Sequence, residues 1–245
     1  MPTGAQLSTQ PKPDDRVAVV VCGGRGTRLG LAGRIVNKNV LPHGRTPLVV
    51  RAVRTAVEHF GCRTCVVLVD HLGWQIELVL KRRFSHSTTL MFVSARSSGG
   101  GTARAVYDGI RDLGASQIFY THGNVALGRG ALTRLQNATY SPGHAGGAWA
   151  ISTHPIAPTH PLMTRREDGL VQGNPAPNVY SVGVGVLREV GDLLDTDEPP
   201  TGTFEDWWQK HRLGGIAAVD VEDDWVHLED WTFYRRAGAR QVDTS

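Results

Sequence analysis

Eight cations, Arg16, Arg25, Arg28, Arg34, Lys38, Arg45, Arg51 and Arg54, fall between positions 16 and 57 without one Asp or Glu among them. The same stretch holds Gly23-Gly24-Arg25-Gly26-Thr27-Arg28, where glycine lets the backbone turn tightly and approach a ligand with its N–H groups open. Unopposed positive charge beside such a turn suits a polyanion, a nucleoside triphosphate above all. The apolar run Val17 to Cys22 reads as a buried strand, so the pattern is a strand feeding a phosphate loop. Two common phosphate loops are excluded by spacing. The P-loop needs Gly-Lys-Ser/Thr four residues after its first Gly, and Gly26 is followed by Thr27-Arg28. The dinucleotide fingerprint needs a third Gly where Leu29 stands, and no acidic residue follows at ribose distance.

The narrower pattern Gly-Gly-x-Gly-Thr-Arg-Leu, Gly23 to Leu29, resembles the signature of the sugar-1-phosphate nucleotidyltransferases. Asn37-Lys38-Asn39-Val40-Leu41-Pro42-His43-Gly44-Arg45-Thr46-Pro47 is similar to that family's second motif, which puts Lys38 on its catalytic lysine. Val66 to Glu77 is similar to its second strand and helix, and Gly100-Gly101-Thr102 resembles its base-reading turn. Trp225-Val226-His227-Leu228 and Phe233 to Ala237 resemble its closing strand and helix, so the likeness spans roughly residues 17 to 237. The resemblance implies a nucleoside triphosphate held by Gly23, Gly24, Arg25, Gly26, Thr27, Gly100, Gly101 and Thr102. It implies Arg28 on the pyrophosphate portion, Lys38 on the α-phosphoryl group, a divalent metal (Mg or Mn), and an acceptor phosphate near Gly123 and Asn174.

Three charges of that family are missing. The Asp that ends its fourth strand is Asn124 here, the Asp of its closing strand is His227, and the Lys that grips the sugar phosphate falls at Asn174. Magnesium prefers carboxylate oxygens, whereas an imidazole suits softer divalent ions. Glu229 and Asp230 follow His227 directly and Asp70 ends the second expected strand, so these are the carboxylates that could take over a ligand position. Three readings stay open: an active nucleotidyltransferase, a catalytically impaired nucleotide-binding homologue serving as a regulatory or assembly subunit, and another reaction on the same scaffold.

The elements that must position these residues follow from periodicity. Strands are expected at 64–69, 89–94 and 117–121, and helices at 47–60, 74–84 and 102–113, each with apolar residues at helical spacing. Such alternation predicts an α/β, Rossmann-like three-layer sandwich with a mostly parallel central sheet, and the resemblance makes it a GT-A-like nucleotidyltransferase architecture. Ligands then lie at the carboxyl ends of the strands, where Gly23 to Arg28 and His122 to Asn124 stand. Beyond Pro142 come strands at 146–153, 179–187, 216–221 and 225–228, a helix at 204–211 with Trp207 and Trp208 as core or sugar-stacking wall, and a final helix at 231–239.

With 245 residues and 40% hydrophobic content the chain suffices for one domain at 16–245, a nucleotide half to about 141 and an acceptor half beyond. Met1 to Asp15 is polar and holds three prolines without an apolar run, so a flexible tail, no membrane segment and a cytoplasmic location are expected. The net charge of +3 is concentrated in the first loop, which argues for a small phosphorylated ligand over nucleic acid. A homo-oligomer is compatible with all of this. Cys62 and Cys65 lack a second pair and are expected to be structural thiols. His154 and His160 stand in a Pro-rich loop and are read as surface residues.

Overall fold

Val17, Val19 and Val21 alternate along the first strand with Ala18, Val20 and Cys22, and the two sets are buried in different clusters. A strand apolar on both faces belongs in the middle of a sheet covered by helices on each side. The computed structural model puts it there, and describes residues 15–84, 88–95, 99–144, 146–153, 162–165, 171–172, 179–210, 215–222 and 224–228.

The chain runs β1 (Arg16–Val21), α1 (Ala32–Ile35), β2 (Pro42–His43), β3 (Thr46–Pro47), α2 (Leu48–Glu58), β4 (Thr64–Val69), α3 (Gly73–Arg83) and β5 (Thr89–Ser94). It continues with α4 (Gly101–Ile110), β6 (Gln117–His122), β7 (Val125–Leu127), α5 (Arg129–Thr139), β8 (Gly147–Ser152), β9 (Leu162–Arg165) and β10 (Val171–Gln172). It closes with β11 (Val179–Arg188), α6 (Gly191–Leu194), α7 (Phe204–Lys210), β12 (Ile216–Asp220) and β13 (Trp225–His227). The order across the main sheet is β10-β9-β11-β6-β1-β4-β5, with β8 joining β11 and β12 joining β8. From β5 through β4 and β1 to β6 every pairing is parallel. At β11 the sheet turns antiparallel. This is the expected α/β layering around a largely parallel sheet. One core layer, with Val53, Ile76 and Leu135 of α2, α3 and α5, lies on one face, and another, with Val106, Leu193, Phe204 and Trp208 of α4, α6 and α7, on the other.

Two expected elements lie outside the described residues: the helix at 231–239 and the polar tail up to residue 14. Three described helices, the short α1 and α6 and the longer α5, were not foreseen, and α5 is held from afar. The carboxylate that accepts its Ala131 N–H at 2.6 Å comes from Asp224, far along the chain. Trp207 and Trp208 prove to be core: each is 3% exposed, with Trp207 edge-on to Tyr107 and Trp208 against Trp149. The cysteines are free and buried, as expected, and burial pushes the Cys62 thiol up to about 12. Among the described residues no helix is long and apolar enough to cross a membrane.

Candidate active site

The chain leaves β1 at buried Cys22 and enters the glycine loop with Gly24 at φ 107° and Gly26 at φ 61°, left-handed conformations that glycine adopts without a Cβ penalty. A single 3-10 turn, Thr27–Leu29, follows, and Leu29 anchors it by packing with Leu48, Ala126 and Leu228. Arg25, Thr27 and Arg28 are left exposed around the loop. Gly33 of α1 lies so close under Gly26 that a Cβ there would overlap the Gly26 carbonyl group. A cavity of about 490 Å3 opens beside the loop, bordered by Arg25, Thr27, Gly30, Leu31, Gly33, Arg34 and His71. Its charged and ionisable lining is two guanidinium groups and one imidazole, with no carboxylate, which suits phosphate oxygens.

Lys38 is fixed by its two neighbours. Asn37 caps the 3-10 turn Lys38–Val40 by accepting the Asn39 N–H at 2.9 Å, and its own amide donates to the His71 carbonyl at 2.6 Å. Asn39, fully buried, donates to the Cys22 carbonyl at 3.1 Å and to Asn37 Oδ1 at 2.7 Å. Gln75 accepts the Asn37 N–H at 2.8 Å and donates to the Ile35 carbonyl, and the ring of His71 bonds the Gly33 carbonyl at 2.8 Å. The segment carrying Lys38 is thus bolted to the end of β1 on one side and to the start of α3 on the other. Burial pushes the Cys22 thiol far up, and the charge of Lys38 acts the other way, a sign of how near that ammonium lies to the end of β1.

The end of β6 meets the same point. The Gly123 N–H donates to the Val21 carbonyl at 2.9 Å, and a Cβ on Gly123 would fall 2.5 Å from Cys22 Sγ and 3.1 Å from Asn39 Oδ1. Asn124, 2% exposed, donates through Nδ2 to the Leu228 carbonyl at 2.8 Å, while its own carbonyl accepts the Leu228 N–H at 2.9 Å. His227 stands opposite Val125 in the β7–β13 pair, stacks on Trp225 and is 4% exposed. Asn124 and His227 are thus diagonal neighbours, with His227 paired to Val125 and Asn124 bonded to Leu228, and both are buried. An amide oxygen and an imidazole supply no negative charge, and among the described residues no three His, Cys, Asp or Glu side chains gather where they could hold a metal. The donor set does not fit Mg2+. Asp70 directly follows β4, and its carbonyl accepts the Gly73 N–H; Asn174, Glu229 and Asp230 lie outside the described residues, as do His154 and His160.

Gly100, Gly101 and Thr102 open α4 against the segment leading into α7. The Gly202 N–H donates to the Gly100 carbonyl at 2.9 Å, the Ala103 N–H to the Gly202 carbonyl at 3.2 Å, and the Phe204 N–H to Thr102 Oγ1 at 3.1 Å. Gly101, at φ 78°, has no room for a Cβ beside the Gly202 carbonyl group.

Sequence reading missed Arg34 and His71 as cavity residues, and it missed Glu205. The signal for His71 was present in the run His71 to Gln75, but nothing local says that these side chains reach back to Gly33 and Ile35. Glu205 of α7 is 4% exposed, and burial pushes its carboxyl up to about 7, helped by the charge of Asp206 and opposed by a hydrogen bond from its own backbone N–H. His122 and Tyr120 of β6 face it as well. Its folded value lies above the unfolded value near 4.5, so it contributes stability below that pH and loses it as pH rises through about 7. Chemical denaturation between pH 5 and 8 should show wild-type stability falling more steeply than that of Glu205→Gln.

These features define a class: an α/β domain whose first strand runs into a glycine loop bordered by exposed arginines. The match of residues 18–169 to the MobA-like NTP transferase domain makes the assignment, and the chain belongs to that family. No curated protein matches the sequence. Its fold resembles the inositol-1-phosphate CTP transferase of T. maritima at 15% identity and TM-score 0.71, over 94% of this chain and 98% of that one. It also resembles a UDP-glucose pyrophosphorylase complexed with UDP-glucose at 15% identity and TM-score 0.71, over 91% and 97%. HddC of Yersinia pseudotuberculosis, complexed with GMP-PN, is similar at 14% identity and TM-score 0.68, over 91% and 98%.

Proposed function

We propose that this chain transfers a nucleotidyl group from a nucleoside triphosphate to a sugar 1-phosphate or similar phosphorylated acceptor, releasing pyrophosphate. The observation that carries the reading is the convergence of the Arg28 loop and Lys38 on the end of β1, with Gly123 packed against both Cys22 and Asn39. An acceptor phosphate oxygen attacks the α-phosphorus as the bond to pyrophosphate breaks. Such a transfer needs charge neutralisation and in-line positioning more than covalent help. Arg28 neutralises the leaving pyrophosphate, and Lys38 holds the α-phosphoryl oxygens where charge develops. The base lies toward Gly100 to Thr102, and the acceptor toward Gly123 and the half of the chain beyond residue 142.

The test is pyrophosphate release from each of the four common nucleoside triphosphates with a panel of sugar 1-phosphates, in Mg2+ and in Mn2+. Release with one pairing is expected. Arg28→Ala should weaken triphosphate binding by about 1–3 kcal/mol, the range for losing a charge-assisted hydrogen bond. Unchanged calorimetric affinity in the folded variant would remove Arg28 from the site. Asn124 and His227, neither of them a carboxylate, favour a second reading, a nucleotide-binding subunit without transfer. Triphosphate binding that depends on Arg28, with no release from any pairing, would establish that reading instead.

A further inference from the structure

Glu205 is a buried carboxylate with no lysine or arginine facing it among the described residues, an arrangement that costs stability and for that reason concentrates at functional sites. The ring it faces is that of His122, whose Nε2 is 3.9 Å from Glu205 Oε1 and 3.2 Å from the Tyr120 hydroxyl. Tyr120 is itself fully buried, stacked on Phe204 and Trp149. One edge of the imidazole is therefore bonded to the buried Tyr120 hydroxyl, with the Glu205 carboxyl group close behind it. Across the ring, Gly183 at φ 73° leaves the space the ring occupies, since a Cβ there would come within 2.7 Å of His122 Cδ2. The rest of the side chain, 32% of its surface, is open at the carboxyl end of β6.

That opening is the acceptor's side of the loop. His122 pairs with Val21 in the β1–β6 ladder, and the next residue, Gly123, packs on Cys22 and on Asn39, the neighbour of Lys38. The helix that brings Glu205 begins at the segment hydrogen-bonded to Gly100, Thr102 and Ala103. The ring thus stands at the end of β6, beside the strand that leads into the glycine loop.

Resting on the transferase reading above for the nature of the ligand, we propose that His122 donates a hydrogen bond to the phosphate of the acceptor, with Tyr120 and Glu205 as its positioning residues. A phosphate monoester is a strong multidentate acceptor, and a ring locked at one edge presents its other edge at a fixed angle, so little freedom is lost on binding.

The experiment titrates glucose 1-phosphate, and separately inorganic pyrophosphate, into full-length protein followed by calorimetry and by histidine imidazole NMR. Glucose 1-phosphate should shift the His122 ring resonances. His122→Ala should weaken its binding about tenfold or more and leave pyrophosphate affinity within about twofold. Tyr120→Phe keeps the stacked ring and removes only the hydroxyl, so it should alter the free-state His122 tautomer signals and cost about three- to tenfold for glucose 1-phosphate alone. Glu205→Ala should behave like Tyr120→Phe, and Glu205→Gln should recover most of the loss. Unmoved His122 resonances, or glucose 1-phosphate affinity unchanged in folded His122→Ala, would overturn the proposal. A variant that weakens both ligands equally would overturn it too, because a merely structural role predicts that pattern. Pyrophosphate affinity that Arg28→Ala fails to weaken is the separate failure of the phosphate-loop reading, and it is visible in the same titrations.

Discussion

Lys38→Ala should lower turnover by about 100-fold or more while leaving the triphosphate dissociation constant within a few fold, the signature of a group whose contact strengthens as charge develops on the α-phosphoryl oxygens. The expectation rests on how little freedom the segment has. Asn37 and Asn39 lock the backbone on both sides of Lys38, through His71 and Gln75 to α3 and through Cys22 to β1. An ammonium held in advance costs no reorganisation at the moment of reaction, which is why removing it costs rate more than affinity. Asn39→Ala supplies the companion result. It removes the bond that ties the segment carrying Lys38 to the Cys22 carbonyl, so turnover should fall with triphosphate affinity again little changed. Single-turnover rates with calorimetric affinities on the same preparations decide the matter. Equal losses in both quantities for Lys38→Ala would make it a binding residue only.

How far the sequence led depended on whether the physics was local. β1, β4 and β6 were legible because a run apolar on both faces has few other places to go, and α2 and α4 because their apolar residues repeat at helical spacing. The tight loop after β1 was legible because glycines where the chain must turn are a local signature. α5 was not, since the first-turn N–H of Ala131 is satisfied by Asp224 across the fold. The staple from Asn37 and His71 was hidden for the same reason: its two sides are more than thirty residues apart in sequence, at |i−j| of 34 and 38. Glu205 and His122 look unremarkable as letters in Thr203-Phe204-Glu205-Asp206 and Thr121-His122-Gly123. Only the docking of α7 on the sheet makes one the buried neighbour of the other. Trp207 and Trp208 show the converse, a plausible sugar wall that the same docking turns into core.

The position where an acidic metal ligand was expected has the sharpest consequence for stability. Asn124→Asp should destabilise the protein by about 2–4 kcal/mol at neutral pH, because an ionised carboxylate cannot donate to the Leu228 carbonyl that Asn124 Nδ2 now meets at 2.8 Å. Two oxygens would face each other in a site only 2% exposed, and that site is where β6 leads into the β7–β13 pair. For a domain of this size the loss corresponds to a fall in Tm of roughly 5–15 °C. The sign with pH follows from the same geometry. A protonated Asp restores the donor, so the folded pKa is raised above the unfolded value of about 3.9, and the variant's deficit should shrink as pH falls toward 4 and reach its full size above the folded pKa. Thermal melts of wild type and variant from pH 4 to 8, with and without Mg2+, separate the two roles of this position. A deficit that grows with pH and ignores Mg2+ would establish Asn124 as the amide clamp between β6 and Leu228, which leaves catalysis to Arg28, Lys38 and whatever carboxylates lie beyond Leu228. A variant as stable as wild type at pH 8, or one that Mg2+ raises by several degrees, would show that the pocket still accepts a charged ligand set, and the clamp would be incidental.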